Sequence, residues 1–244
     1  MKTLAFALRN TRELLRDRIN LFFGLGFPVI LLLLLHLIGS NTPVEMFQLE
    51  ELTPGIAVFG LSFISLFSGM VIAKDRTGSL MLRLFTSPMK SIDFIAGYAL
   101  PLLPIALGQA VICYGVALIL GLSYTGSLAA AVLGLLPAAV IFIGIGILCG
   151  CLFTEKQVGS ICGALLTNVS AWLSGTWFDT SLGGKAFDTV AGVLPFSHAV
   201  DAGRALLSGN HDGLTCHMIW VCGYAAVILL LALLALHRRI TEDK

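Results

Sequence analysis

The sequence predicts an all-α integral membrane protein with six transmembrane helices, and three observations carry that expectation. Hydrophobic residues make up 57% of the 244-residue chain and charged residues only 12%, against about 25% charged in soluble domains. The apolar residues gather in runs long enough to cross a hydrocarbon core of about 30 Å as helices. Lys and Arg segregate by side, with thirteen in the termini and alternate connections and two, Lys185 and Arg204, in the others. That asymmetry places both termini in the cytoplasm.

Residues 3–20 come first. Leu4, Leu8, Leu15 and Ile19 recur at helical spacing on one side, and Arg9, Arg12 and Arg16 form a stripe on another. This is the pattern of an N-terminal amphipathic helix lying in the membrane interface, arginines toward anionic headgroups. A plain positive-inside flank is the alternative reading. No cleavable leader is expected, since the first apolar run starts only at Leu21 and no small-x-small site follows it.

Spans are expected at 21–38, 55–73, 95–122, 128–153, 158–178 and 218–236. The connection before the second carries Glu45, Glu50 and Glu51 but no Lys or Arg. Pro54-Gly55 opens the second span, because proline is tolerated in a first helical turn. Pro101 and Pro104 kink the third or mark a broken start. Before the last span, two apolar stretches at 186–194 and 198–207 are divided by Pro195. Each is too short to cross, so 186–207 fits an outer re-entrant or interfacial hairpin.

The longest non-spanning run on the cytoplasmic side is 74–94. Lys74, Asp75 and Arg76 open it, and Gly78-Ser79 interrupts it. Residues 80–85 fit a short helix with Leu80, Leu84 and Phe85 on one side and Arg83 beside them. Ser87-Pro88 stops it, because proline restricts its predecessor and has no amide donor. A short, half-apolar, basic helix between two spans suits docking onto a soluble partner; the plainer alternative is a loop that returns the chain to the bilayer.

Most catalytic chemistry is excluded. The sequence has no G-x-x-x-x-G-K-[ST] phosphate loop, no H-E-x-x-H and no G-x-S-x-G. No catalytic residue and no metal site are expected, and His198, His211, Cys216 and His217 match no zinc spacing. Cys113, Cys149, Cys151 and Cys162 read as small apolar fillers. No Asp, Glu, Lys or Arg lies in the middle of a span, which disfavours an ion-coupled carrier. Nucleic-acid binding is excluded by the lack of a basic face with interleaved aromatics. One intramembrane pattern remains. Ser160, Gly163, Thr167, Ser170 and Ser174 form a small, polar stripe on the fifth span, and Ser62, Ser65 and Gly69 a shorter one on the second. Such stripes either let helices pack closely or line a path for a polar or amphipathic solute.

These residues carry a resemblance. Leu52-x-Pro54-Gly55-Ile56 resembles the start of the second span in permease subunits of the type-2 ABC exporter family. Asp75 and Gly78-Ser79, then Leu82, Leu84 and Ser87-Pro88, resemble its cytoplasmic coupling loop, followed by Gly97. Leu173-Ser174-Gly175 is similar to the end of its fifth span, and Leu194-Pro195 with Arg204 and Gly209 to its outer hairpin. Asp75 stands where the family often has Glu, Met81 where it often has an acidic residue, and Tyr98 where Lys usually follows the glycine.

The resemblance implies a single transmembrane domain over 1–244, set in a bacterial plasma membrane and paired with a second permease subunit, identical or related. It implies docking of a cytoplasmic ABC ATPase subunit through Asp75, Gly78, Leu80, Arg83, Leu84, Phe85 and Pro88. This chain would bind no cofactor, since ATP and Mg²⁺ belong to that ATPase. The stripes at Ser62, Ser65, Ser160, Thr167, Ser170 and Ser174 would face the pathway or the dimer seam, and a hairpin marked by Pro195 and Arg204 would cap the exit. The resemblance leaves an antimicrobial peptide, a drug-like amphiphile or a lipid-linked glycan as cargo, the first two favoured because no large extra domain is present. A toxin-binding immunity or sensor subunit without net transport is the alternative.

Overall fold

The computed structural model describes residues 2–41, 47–78, 91–178 and 180–242, and the described elements are all helical. In chain order they are α1 (Lys2–Arg16), α2 (Arg18–Ser40), α3 (Leu49–Thr77), α4 (Ser91–Ile119) and α5 (Leu128–Leu152). Then follow α6 (residues 155–173), α7 (Lys185–Val193), α8 (Pro195–Ser208) and α9 (Leu214–Glu242). Five of these, α2, α3, α4, α5 and α9, are long and apolar enough to cross a membrane. The α6 run is not among them, because Lys156, Gln157, Asn168 and its hydroxyls dilute its apolar character.

Burial sorts the helices. α3 is the most deeply enclosed span, and α2 and α9 are the most exposed. α3 packs against α5 over the longest shared face, with α4, α2 and α6 around it. α9 lies along the other side of α5, and α8 wedges between α9 and α3. The α3–α5 approach depends on glycine. A Cβ on Gly146 would sit 2.2 Å from the Ser65 carbonyl oxygen, and one on Gly150 2.7 Å from that of Gly69. Small residues let the two backbones touch where lipid offers no hydrophobic drive.

Several boundaries differ from the sequence expectation for physical reasons. α3 begins at Leu49 rather than at Pro54, with Glu50 and Glu51 in its first turn beside the positive helix end. Pro54 therefore lies inside the helix. α4 is one continuous helix containing Pro101 and Pro104, not a broken start. α5 does break, at Leu135, and Pro137 occupies the first turn of its second piece. α6 begins at a capping box in which the Thr154 and Gln157 side chains each satisfy the other's backbone amide. It ends at Leu173, short of residue 178.

The two short apolar stretches around Pro195 are helices, α7 and α8, joined at Leu194-Pro195. They are unequal. α8 buries Pro195, Phe196, Ala199, Val200, Gly203 and Leu207 in the bundle, whereas α7 buries only Ala191. α1 has two apolar sides. Phe6, Ala7 and Leu14 pack on the protein, with Asn10 on the same face, while Leu4, Leu8 and Leu15 point outward, as does Ile19 beyond the Asp17 corner in α2.

Candidate functional site

The region of interest is the end of α3, just before residues 79–90. Leu80, Arg83, Leu84, Phe85 and Pro88, expected to contact a partner, lie outside the described residues. Of the expected coupling residues, Asp75 and Gly78 are described, at the end of α3.

Asp75 occupies the last full turn of α3 and is only 4% exposed. A buried carboxylate needs a charged partner or several donors, and Asp75 has both. Arg9 of α1 meets it with two prongs, Nη1 to Oδ2 at 2.7 Å and Nη2 to Oδ1 at 2.9 Å. Tyr98 of α4 donates its hydroxyl to Oδ2 at 3.0 Å. Direct hydrogen bonding to Asp75 holds the Arg9 guanidinium's pKa above its ordinary value. Arg9 also reaches Glu13 at 2.7 Å, and Glu13 in turn pairs with Lys74 at 3.2 Å.

The face of α1 that presents Arg9 is keyed into α4. Asn10 donates to the Gly97 carbonyl at 3.0 Å, and Thr3 donates to Asp93 at 2.9 Å. The Phe6 ring lies edge-on to Tyr98 and fills the space where a Cβ on Gly97 would be. Gly97 and Tyr98, adjacent in sequence, thus build the seat for α1 and one wall of the Asp75 site.

Arg76, the next residue, faces a different neighbour. Its Nη1 donates to the carbonyls of Gly150, Cys151 and Phe153 at 2.8, 2.7 and 3.2 Å. These belong to the C-terminal end of α5, where carbonyls lack helical donors and the helix dipole favours a cation. Adjacent residues at the end of α3 therefore tie it to α1, α4 and α5. Gly78 caps α3 with φ −92° and ψ 164°, a conformation open to any residue, so the bend there does not require glycine.

A second knot lies at the other end of α3, on the side assigned as outer from charge. Arg204 of α8 pairs with the Glu51 carboxylate at 2.7 Å and donates to the Glu51 and Gly175 carbonyls at 3.3 and 3.2 Å. Gly175 has φ +68°, the left-handed conformation that glycine takes at least cost. Gly203 sits against Pro54, and Gly55 against Thr176. Three separated sequence motifs, around Pro54-Gly55, Gly175 and Arg204, thus converge on one site. The profile of the ABC-2 type transporter family matches residues 1–207, from α1 through most of α8. The chain belongs to that family. No curated protein matches the chain significantly.

ABC-2 permeases are not themselves catalytic. Among the described residues of this permease, no group of three or more His, Cys, Asp or Glu side chains could hold a metal ion. Between α8 and α9, His198 and His217 share an Nδ1···Nδ1 contact of 2.8 Å, and the second ring nitrogen of His198 bonds the Gly192 carbonyl. Trp220 and Tyr224 both donate to the Val193 carbonyl at 2.9 Å, so α9 grips the α7–α8 junction.

The intramembrane stripe is split. Ser62 and Ser65 on α3, Thr167 and Ser170 on α6, and Ser174 just past its end are buried inside the subunit. Their hydroxyls are satisfied locally, Ser65 by the Ser62 carbonyl, Ser170 by that of Thr167 and Thr167 by that of Cys162. Ser160 faces outward instead. The outward side of α6 holds Ser160, Ala164, Asn168 and Trp172 at steps of four residues. Asn168 is a carboxamide within an expected span, exposed and bonded only to the Ala164 carbonyl among the described residues. Sequence reasoning missed Asn168, Arg76 and the meeting of Arg9 with Asp75.

Proposed function

We propose that this ABC-2 permease is the membrane half of an ATP-driven exporter, working as a dimer with cytoplasmic ATPase subunits docked on its 79–90 loop. The observation that carries the reading is the pair of clamps at Asp75 and Arg76. A loop that merely returned the chain to the bilayer would need no buried ion pair at its root. A loop that receives force does, because movement there must pass into several helices. Displacement of 79–90 would pull α3 and, through Arg9, Tyr98 and Arg76, carry α1, α4 and α5 with it.

In this reading the chain crosses the membrane six times, with α6 as the least apolar crossing and both termini in the cytoplasm. α1 lies in the interface with Leu4, Leu8 and Leu15 toward lipid, and Ile19 at the start of α2 beside them. The α7–α8 hairpin caps the outer end, held by Arg204. The outward side of α6, with Ser160 and Asn168, forms the seam or pathway wall between two subunits, while the buried stripe supports packing within each. A polar group on that wall suits an amphiphilic cargo such as a drug-like molecule or an antimicrobial peptide.

Co-purification with the ATPase tests the reading. In the proposed docking, Leu84 and Phe85 are buried anchors, worth about 2 kcal/mol or more each on truncation. Phe85→Ala should therefore weaken ATPase binding by more than about tenfold, because about 1.4 kcal/mol is one decade. Arg83→Ala should cost much less. Unchanged ATPase association in a folded Phe85→Ala protein would remove the docking role. ATPase stimulation by cargo separates transport from toxin sensing without transport.

A further inference from the structure

The corner between α1 and α2 forms a cleft of about 880 Å³ against α3. Its charged lining is five cations and three acids. Two of the acids are already engaged: Glu13 pairs with Arg9 and Lys74, and Asp17 accepts from the Asn20 amide and side chain. Arg12, Arg16 and Arg18 are exposed and, among the described residues, have no acidic partner. Arg12 and Arg16 stand one turn apart on α1, on one face, and Arg18 begins α2 across the Asp17 corner.

The rest of the cleft is apolar. Phe67, Met70 and Val71 of α3 form its back wall, and Ile19 its rim. Beyond the rim the surface continues apolar, through the exposed Phe22 and Phe23 of α2. Three unpaired guanidiniums beside an apolar floor that runs into a spanning helix match a ligand with an anionic head and an acyl tail. Guanidinium forks suit phosphate oxygens, and basic pockets between membrane helices on the cytoplasmic side hold phospholipid headgroups. A soluble phosphate would use the arginines and leave the apolar wall wet.

We infer that this cleft is a discrete binding site for an anionic phospholipid of the bilayer, its phosphate held by Arg12, Arg16 and Arg18 and its acyl chains along α2. The site shares the membrane placement proposed above but depends neither on transport nor on an ATPase. Its occupancy would brace α1, and through Arg9 the Asp75 clamp, against α3.

The test uses the full chain in uncharged detergent, titrated with dioleoyl-phosphatidylglycerol or dioleoyl-phosphatidylcholine, with bound lipid counted by native mass spectrometry. The wild type should prefer phosphatidylglycerol by at least about tenfold, as expected for three cations near one phosphate. The R12Q/R16Q/R18Q variant should lose most of that preference, and the R12K/R16K/R18K variant should retain much of it. Should the triple glutamine variant fail to elute like the wild type, Arg16→Gln alone, at an exposed position, should still lower the preference several-fold. Inorganic phosphate and glycerol 1-phosphate should compete only weakly, because they lack acyl chains. Equal uptake of both lipids by the wild type would overturn the inference, as would full competition by soluble phosphate. So would a glutamine variant that keeps its lipid preference but loses its ATPase, since the cleft would then receive an acidic protein surface.

Discussion

Arg9 and Asp75 lie 66 positions apart in sequence and meet in a two-pronged ion pair that joins the N-terminal helix to the end of α3. The two ends differ in environment, with the Asp75 side chain 4% exposed and that of Arg9 38%. Removing Asp75 takes the acceptor from the Tyr98 hydroxyl and leaves Arg9 with Glu13, whereas removing Arg9 leaves a buried carboxylate with only the Tyr98 hydroxyl. Breaking a fully buried pair costs about 3–5 kcal/mol, and solvent access at Arg9 reduces that figure. Asp75→Ala and Arg9→Ala should each destabilise the protein by about 1–3 kcal/mol. The double variant should cost clearly less than the sum, because the residues are in contact. Thermal unfolding in detergent measures this, and strict additivity would deny the pair any coupling role.

Arg76 should separate stability from transmission. Its guanidinium caps the end of α5 through three carbonyls, so Arg76→Gln removes a charge from a helix C-terminus at a cost of about 1 kcal/mol. The larger consequence should fall on transport with the ATPase present, because the link from α3 to α5 is weakened at the root of the loop. Arg76→Lys, which keeps the charge but not the fork, should recover most of the stability and only part of the transport. If transport by Arg76→Gln follows stability alone, the clamp is structural only.

The glycines give a contrast that needs no partner. A Cβ on Gly146 would stand 2.2 Å from the Ser65 carbonyl oxygen, whereas one on Gly108 of α4 meets nothing within 4 Å. Gly146→Ala must push α3 and α5 apart and should cost about 1–3 kcal/mol or more. Gly108→Ala should be neutral or stabilise by up to about 1 kcal/mol, because alanine is the better helix former. Melting temperatures of the two variants check the geometry of the central helix pair.

What the sequence made legible follows from the range of each signal. Apolar runs report on lipid directly, so the five long helices and the Pro195 division of the hairpin were readable. The ends were less so, because caps such as Thr154 with Gln157 extend helices past the apolar run into polar sequence. Arg9 was visible only as one charge in a stripe, and nothing local shows that it faces Asp75. The α6 stripe misled for a geometric reason. Its spacing assumed 3.6 residues per turn, but Gly159–Leu166 is wound as a π-helix with a wider turn. The wider turn carries Ser160 off the face that Thr167, Ser170 and Ser174 share.

That split yields the last prediction. Ser170 is 1% exposed, with its hydroxyl bonded to the Thr167 carbonyl at 3.0 Å, and an indole has no room there. Ser170→Trp should therefore lower the melting temperature or prevent folding, since overpacking a filled interior costs about 1–3 kcal/mol, occasionally more. Asn168, only two residues earlier, points away from the subunit. Asn168→Trp should leave the single subunit folded and act between subunits or on the cargo. Light scattering of the detergent-purified protein reads the first effect, and transport in vesicles reads the second. A folded monomer where the wild type is a dimer would assign this side of α6 to the subunit seam. A normal dimer with reduced transport would assign it to the pathway. Unchanged assembly and unchanged transport would mean that Asn168 faces lipid, and α6 would then have no part in the path between subunits.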